Sequence, residues 1–249
     1  MLIEQSAYAN RWRAVSPAAK GSFALGGLLA AFVANTPAAA AGIALVMVAT
    51  TLLGARVSPW LYLRVAVPAT AFLAVSSLSL MFSINLDASG GGPQWQFAPD
   101  AVSRIATVAS RSLASLAALL FLVLTTPLRD LIALLRQLRV PEVILDLMVL
   151  CYRMLFVLSE AMHDMLTAQA ARLGHASARR SLHSLGLLAA NLMVQVWQRA
   201  QALATAALAR NGCGSLRFLS PAFAHARRDT LIAAVASLAL IALAGSLDR

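Results

Sequence analysis

The chain has 249 residues, of which 60% are hydrophobic and only 12% are charged, whereas a soluble domain carries about 25% charged residues. This composition excludes an ordinary soluble globular fold and places the chain among membrane proteins. The net charge of +10 comes almost entirely from arginine, and we identify no extended basic patch with interleaved aromatic residues. The charge therefore indicates cytoplasmic membrane loops in contact with a lipid bilayer, and we expect no nucleic-acid partner.

Four apolar segments follow the basic N-terminal stretch, at residues 21–35, 38–53, 61–83 and 101–126. A membrane-spanning helix needs about 20 apolar residues, so the first two are short. Pro37 suits the first turn of a helix, and we predict that these two form a tight hairpin. A basic start, a short apolar run and the alanines at 38–40 also fit a secretory signal peptide, which stays open as an alternative.

The orientation of the chain follows from the position of its arginines. A cytoplasmic N-terminus places all basic loops inside and the loop 84–100, which has no basic residue, outside. Segment 142–160 is apolar enough to span the membrane, but spanning would put the eight arginines of segment 161–229 outside. We therefore predict that it lies at the inner surface, and that 230–247 is the last of five spans.

Two long amphipathic helices are predicted between the fourth and fifth spans. In the first, apolar residues recur with four-three spacing from Val143 to Ala168, and a helix from Pro141 to Arg172 would be about 50 Å long. In the second, from about Ser181 to Arg210, the stripe is formed mainly by leucine, valine and alanine. We expect the two stripes to pack on each other, because neither tolerates water.

These patterns predict an all-α integral membrane protein with about five transmembrane helices and two long amphipathic helices. They divide the chain into N-terminal membrane helices at 1–127, a cytoplasmic or interfacial region at 128–229 and a C-terminal membrane helix at 230–249.

Both long helices end in a small residue, an arginine, one further residue and a glycine. The first ends Ala171-Arg172-Leu173-Gly174 and the second ends Ala209-Arg210-Asn211-Gly212. A glycine after a helix and an arginine in its last turn are ordinary capping features, so two plain capped helices would look the same. The repetition favours a function, because a guanidinium at a rigid helix tip suits a carboxylate-lined groove.

Further motifs accompany the two tips in a fixed order. They are the N-terminal segment 8–20, then Thr125-Thr126-Pro127, Val140-Pro141 and Tyr152-Arg153. Together with the tips they resemble the transmembrane T component of energy-coupling factor transporters, in the cobalt/nickel branch called CbiQ. The resemblance covers nearly the whole chain.

The resemblance implies a non-catalytic coupling subunit of an ATP-driven cobalt or nickel importer in the bacterial inner membrane. It implies two cytoplasmic ABC-type ATPase subunits and a separate substrate-binding membrane subunit as partners. The ATPases would bind the ATP, so no cofactor is expected in this chain. The implied ATPase contacts are Ala171, Arg172 and Gly174 at one tip, and Ala209, Arg210 and Gly212 at the other. This sequence departs from the family pattern at Leu173 and Asn211, which stand where glycine follows the arginine.

Three other functions fit part of the sequence. A self-contained secondary transporter needs ionisable residues near the bilayer midplane, where Arg111 is the one deep candidate and the five predicted spans hold no Asp or Glu. A membrane scaffold would use the basic face on anionic lipid. A T component for a vitamin such as biotin would share most features. An ATPase is excluded, because Lys20 is the only lysine and no phosphate-binding loop surrounds it.

Overall fold

The structure, a computed structural model, describes residues 2–80, 82–85, 94–97, 101–210, 223 and 225–247. Its helices are α1 Leu2–Ala9, α2 Pro17–Val33, α3 Pro37–Ala49, α4 Pro59–Leu80, α5 Ala101–Thr125, α6 Leu128–Gln137, α7 Glu142–Ala171, α8 Ala178–Ala209 and α9 Ala226–Leu247. A 3-10 turn at Arg11–Ala14 precedes α2, and a π turn at Thr50–Gly54 continues α3. The predicted all-α membrane fold is confirmed.

One short hairpin interrupts the helices. Strand β1 Phe82–Asn85 pairs antiparallel with β2 Gln94–Phe97, and Phe82 lies opposite Phe97. The sequence predicted a membrane span to residue 83 and then an irregular loop. That boundary was wrong, because α4 ends at Leu80 and the chain continues in extended conformation. The glycines at 90–92 lie outside the described residues.

The described helices include four that are long and apolar enough to cross a membrane, by length and composition. They are Pro37–Gly54, Pro59–Ser79, Ile105–Thr125 and Ala226–Ser246, and the shorter apolar helix Pro17–Val33 joins them. These helices coincide with the five apolar segments found in the sequence. Neither α7 nor α8 belongs to this set, in agreement with their amphipathic pattern.

The predicted hairpin of α2 and α3 is confirmed, and its ends are capped locally. Ser16 Oγ accepts a hydrogen bond from the backbone N–H of Ala19 at 3.2 Å, with Pro17 in the first turn of α2. Thr36 Oγ1 accepts from the N–H of Ala39 at 3.4 Å, with a proline again in the first turn. Both helices therefore begin with a polar cap followed by proline, which needs no N–H there.

The chain forms two compact units, the first of which contains Met1–Leu134 and Pro221–Arg249. In this unit α2 packs so closely on α9 that a Cβ at Gly26 would lie 2.1 Å from Ser237 Cβ. Phe121 is fully buried and contacts the ring of Phe23 edge-on at 5.3 Å. Small residues allow such close helix contacts in a membrane, where the hydrophobic effect does not drive helices together.

The second unit, Leu135–Ser220, contains α7 and α8. Val140 N–H donates to Leu135 O at 3.2 Å, and Pro141 caps the start of α7. The two helices contact each other as expected, but parts of their apolar stripes stay uncovered, since Leu147 is 60% exposed and Leu182 74% exposed. The observed contact lies beside the connecting turn, where Ser184 packs against Gly174. The assignment of parts 1–127, 128–229 and 230–249 to membrane and cytoplasm stays a prediction.

Candidate functional site

The first predicted tip, at the end of α7, has a fully hydrogen-bonded cap. Arg172 is the C-cap residue, and Leu173 follows in the left-handed conformation with φ 55°. The N–H of Gly174 donates to Gln169 O at 2.8 Å, and the N–H of Leu173 donates to Ala170 O at 3.1 Å. These two bonds make a complete Schellman motif, with leucine in the position that usually holds glycine.

Gly174 serves close packing at this tip. A Cβ at position 174 would lie 2.6 Å from Ser184 Oγ and 2.9 Å from Gln169 O, so no larger residue fits without a shift. Ser184 is buried, and its Oγ donates to Gly174 O at 3.0 Å. Leu173, the residue before this glycine, holds the left-handed position of the cap, where the conformation costs about 1–2 kcal/mol because a Cβ is present.

The second tip repeats the backbone geometry of the first up to its arginine. Arg172 has φ −94° and ψ 16°, and Arg210 has φ −100° and ψ 15°. Each arginine N–H bonds the carbonyl three residues earlier, in Gln169 and Ala207, at 3.2 Å. Both arginines and the alanines before them, Ala171 and Ala209, are exposed. Asn211 and Gly212 lie outside the described residues, so the rest of this tip stays a prediction.

The surroundings of the tips are strongly basic. The sequence has no Asp or Glu between Asp164 and Asp229, and eight arginines in that stretch. Near the α7 end, Arg172, Arg179 and Arg180 are all exposed. The unbalanced positive charge favours an acidic binding partner over a basic one.

A buried polar cluster in the first unit was missed as a site at the sequence level. Thr125 O accepts hydrogen bonds from Asn10 Nδ2 and from Lys20 Nζ, each at 3.0 Å. Arg13 forms an ion pair with Asp130. Lys20 is 2% exposed and Asp130 is 1% exposed. The N-terminal segment and the Thr125-Thr126-Pro127 run, which both entered the family resemblance, thus meet in space and fix the junction of α5 with α6.

Arg111, the deep charge considered for a secondary transporter, is engaged by the α2–α3 turn. Its Nε donates to Ala34 O at 2.7 Å, and its Nη2 donates to Asn35 Oδ1 at 3.0 Å. Ala34 is the C-cap residue of α2. Ala34 is fully buried, and a buried backbone carbonyl needs a donor, so these bonds give Arg111 a structural role.

The described residues offer little for substrate chemistry. Within them, no three His, Cys, Asp or Glu side chains lie close enough together to hold a metal ion. A cavity of about 200 Å³ between α1 and the α5–α6 junction is lined mainly by leucine and valine, with Glu4 and Thr126 as its polar members. The chemically distinctive features are therefore the two exposed arginine tips.

Comparison with known proteins gives consistent matches over most of the chain. The profile of the family described as CbiQ, cobalt transport protein, matches residues 9–218. A cobalt transport protein CbiQ from Rhodobacter capsulatus is 37% identical over 218 residues, covering 88% of this chain and 87% of the relative. The CbiQ of Salmonella typhimurium is 31% identical, covering 82% and 93%. A putative fused cobalt transport protein CbiMQ from Methanocorpusculum labreanum is 28% identical, covering 86% of this chain and 37% of the relative.

Proposed function

The chain belongs to the CbiQ family of cobalt transport proteins, and from this premise we propose that it is the coupling subunit of an ATP-driven cobalt importer. The protein is a multi-pass membrane component of a transport system. In the proposal it carries force from two cytoplasmic ABC-type ATPases and performs no chemistry itself. The ATPases bind the ATP, and this chain binds no cofactor. The membrane is the bacterial inner membrane, with the N-terminus in the cytoplasm.

One observation carries the proposal. Two long helices end in an exposed alanine and arginine with the same backbone geometry, at Ala171-Arg172 and Ala209-Arg210. Both tips lie in a stretch of chain that holds arginines and no acidic residue. Two cationic tips fit a pair of acidic grooves, as two ATPase subunits would provide. Gly174 shapes the first tip, and Gly212 is proposed to shape the second.

The mechanism is mechanical. When ATP binding closes the two ATPases, their grooves approach each other and move the tips of α7 and α8. The two helices act as levers. Along the chain, α6 connects the membrane helix α5 to α7. A substrate-binding membrane subunit then releases cobalt. The relative named CbiMQ is described as a fused protein and is matched over 37% of its length, which supports a second membrane component working with this one.

The exposed apolar stripes of α7 and α8 fit this arrangement. Val143 and Leu147 on α7 and Leu182 and Leu185 on α8 are all exposed in the single chain. A large apolar surface left open in a single protein marks an interaction site. We assign these stripes to the inner membrane surface and to the substrate-binding subunit.

Charge reversal at the tips tests the proposal. Arg172→Glu and Arg210→Glu are each expected to weaken ATPase binding by about 30-fold or more, because the reversed charge faces groove carboxylates. Membrane insertion stays normal. Arg228→Glu is the matched control, since Arg228 is exposed and reversal changes the net charge equally.

The measurements are co-purification of the ATPases in mild detergent and ATP-dependent cobalt uptake in vesicles. Normal uptake in the double variant would refute the tip hypothesis. Cobalt uptake without any ATPase would support the secondary transporter. A small effect that disappears at moderate salt would support a lipid-binding scaffold.

A further inference from the structure

We propose that Leu173 is an apolar anchor, which enters a hydrophobic pocket beside the carboxylates of the ATPase groove. The inference rests on the proposed function and adds the chemistry of the partner surface. We call Arg172, Leu173 and Gly174 the α7 tip. In this proposal the α7 tip binds through two neighbouring side chains. The guanidinium of Arg172 pairs with carboxylates of the groove, and the side chain of Leu173 is buried in the hydrophobic pocket.

Leu173 has a backbone conformation that is unfavourable for leucine. Its φ of 55° lies in the left-handed region, where a bulky side chain is strained and where helix caps prefer glycine or asparagine. Gly174 is fixed by its packing on Ser184, but that packing does not require leucine at position 173. Strain of this kind persists at functional sites, where another interaction selects the residue.

The Leu173 side chain makes few contacts that bury it within its own chain. The side chain is 67% exposed, so burial within this protein does not offset the strain. Among the described residues, Arg56, Arg139 and Leu173 are the non-glycine residues with positive φ. Arg56 and Arg139 carry charged side chains for which solvent is an ordinary environment, whereas leucine favours an apolar one.

Hydrogen bonds fix the backbone of Leu173 in one conformation before any partner binds. The N–H groups of Leu173 and Gly174 bond the last turn of α7 at 3.1 and 2.8 Å, and Ser184 Oγ donates to Gly174 O. Because the backbone of the turn is already fixed, binding of Leu173 does not have to order it, which lowers the entropy cost of docking.

The charge around the α7 tip defines the rest of the partner surface. Arg172, Arg179 and Arg180 are exposed, and no acidic residue occurs in the sequence between Asp164 and Asp229. The fitting surface is therefore an apolar pocket bordered by carboxylates. The second tip has Asn211 at the position after its arginine, so the apolar anchor belongs to the first tip and the two ATPase contacts differ.

Substitution of Leu173 separates strain from binding. Leu173→Gly and Leu173→Asn keep the left-handed turn and remove the anchor. We expect both to raise the Tm of the isolated full-length chain by about 2–4 °C and to weaken its binding to the ATPase subunits about tenfold or more. Leu173→Met keeps an apolar side chain, so its affinity stays within about twofold of the unmodified protein.

Arg139→Gly is the matched control. Arg139 also has a left-handed φ, of 61°, and its N–H bonds Arg136 O at 3.1 Å in a second helix cap. This variant is expected to raise the Tm in the same way while ATPase binding stays unchanged. It shows whether relief of strain alone alters binding.

The dissociation constant is measured by titrating purified ATPase subunits onto the full-length chain in lipid nanodiscs. Unchanged or tighter binding of Leu173→Gly, with Arg172→Glu still weakened, would overturn the apolar anchor and leave the coupling function intact. The proposed function fails if the unmodified chain binds no ATPase, or if the Arg172→Glu variant binds the ATPase as tightly as the unmodified chain. The proposed anchor then fails as well.

Discussion

The contact between α2 and α9 allows a stability prediction from a single methyl group. In Gly26→Ala, the new Cβ would lie 2.1 Å from Ser237 Cβ and 3.0 Å from Ser237 Cα. One of these is a backbone atom, so the two helices must move apart. Overpacking of this kind costs about 1–3 kcal/mol, and we take about 3. Alanine regains about 1 kcal/mol of helix propensity over glycine, which leaves a net loss of about 2 kcal/mol.

The chain supplies its own controls for this substitution. A Cβ at Gly42 in α3 or at Gly245 in α9 would meet nothing within 4 Å, so alanine there keeps only its propensity gain of up to about 1 kcal/mol. Ser237→Gly removes the side chain that the added methyl group at position 26 would strike. We therefore expect Gly26→Ala combined with Ser237→Gly to recover part of the lost stability.

The Tm of the unmodified chain is compared with that of the three single alanine variants and the double variant, by thermal unfolding in one detergent. A loss of about 2 kcal/mol lowers the Tm of a protein of this size by about 4–8 °C. Gly42→Ala and Gly245→Ala should match or exceed the Tm of the unmodified chain. If Gly26→Ala is as stable as these controls, or if Ser237→Gly restores nothing, the close packing of α2 on α9 is refuted.

Three further predictions concern the other polar contacts and the topology. Lys20→Met should destabilise the chain by about 1.5–3 kcal/mol, because the charged donor to Thr125 O is lost. In a double-mutant cycle, the losses of stability from Lys20→Met and Asp130→Asn should be less than additive. Full additivity would contradict a shared cluster. Arg111→Met should cost about 1–3 kcal/mol by leaving Ala34 O without this donor, while uptake per folded molecule stays normal; loss of uptake in a fully stable variant would return Arg111 to a transport role. A cysteine placed at Gly91 should react with a membrane-impermeant thiol reagent from outside intact cells, and labelling only from the cytoplasmic side would reverse the proposed orientation.

The existence and approximate limits of the helices could be predicted because their signals are local. The apolar runs predicted the membrane helices, and Pro37 marked the start of α3. The four-three spacing predicted a long helix from Pro141 to Arg172, and α7 spans Glu142–Ala171. Hydropathy period and proline act over a few residues, so the sequence carries them without reference to the rest of the fold.

The strand hairpin and the packing of the two long helices were not predictable in the same way. Residues 82–85 cover the end of the predicted third span and the start of the predicted loop, and only pairing with 94–97 makes them a strand. The stripes of α7 and α8 identified apolar faces but could not specify what covers them. Exposed Leu147 and Leu182 show that the second long helix does not cover the whole of the first.

Sequence alone determined that this is an all-α membrane protein, that two amphipathic helices end in equivalent arginines, and that its motifs resemble one transporter family. Tertiary structure decided that Lys20 is buried beside Thr125, 105 positions further along the chain. It also decided that Gly174 packs on Ser184 and that Leu173 takes the left-handed conformation. The physical reason is range: propensity and capping depend on neighbours in sequence, whereas burial, close contact and strain depend on atoms that only the folded chain brings together.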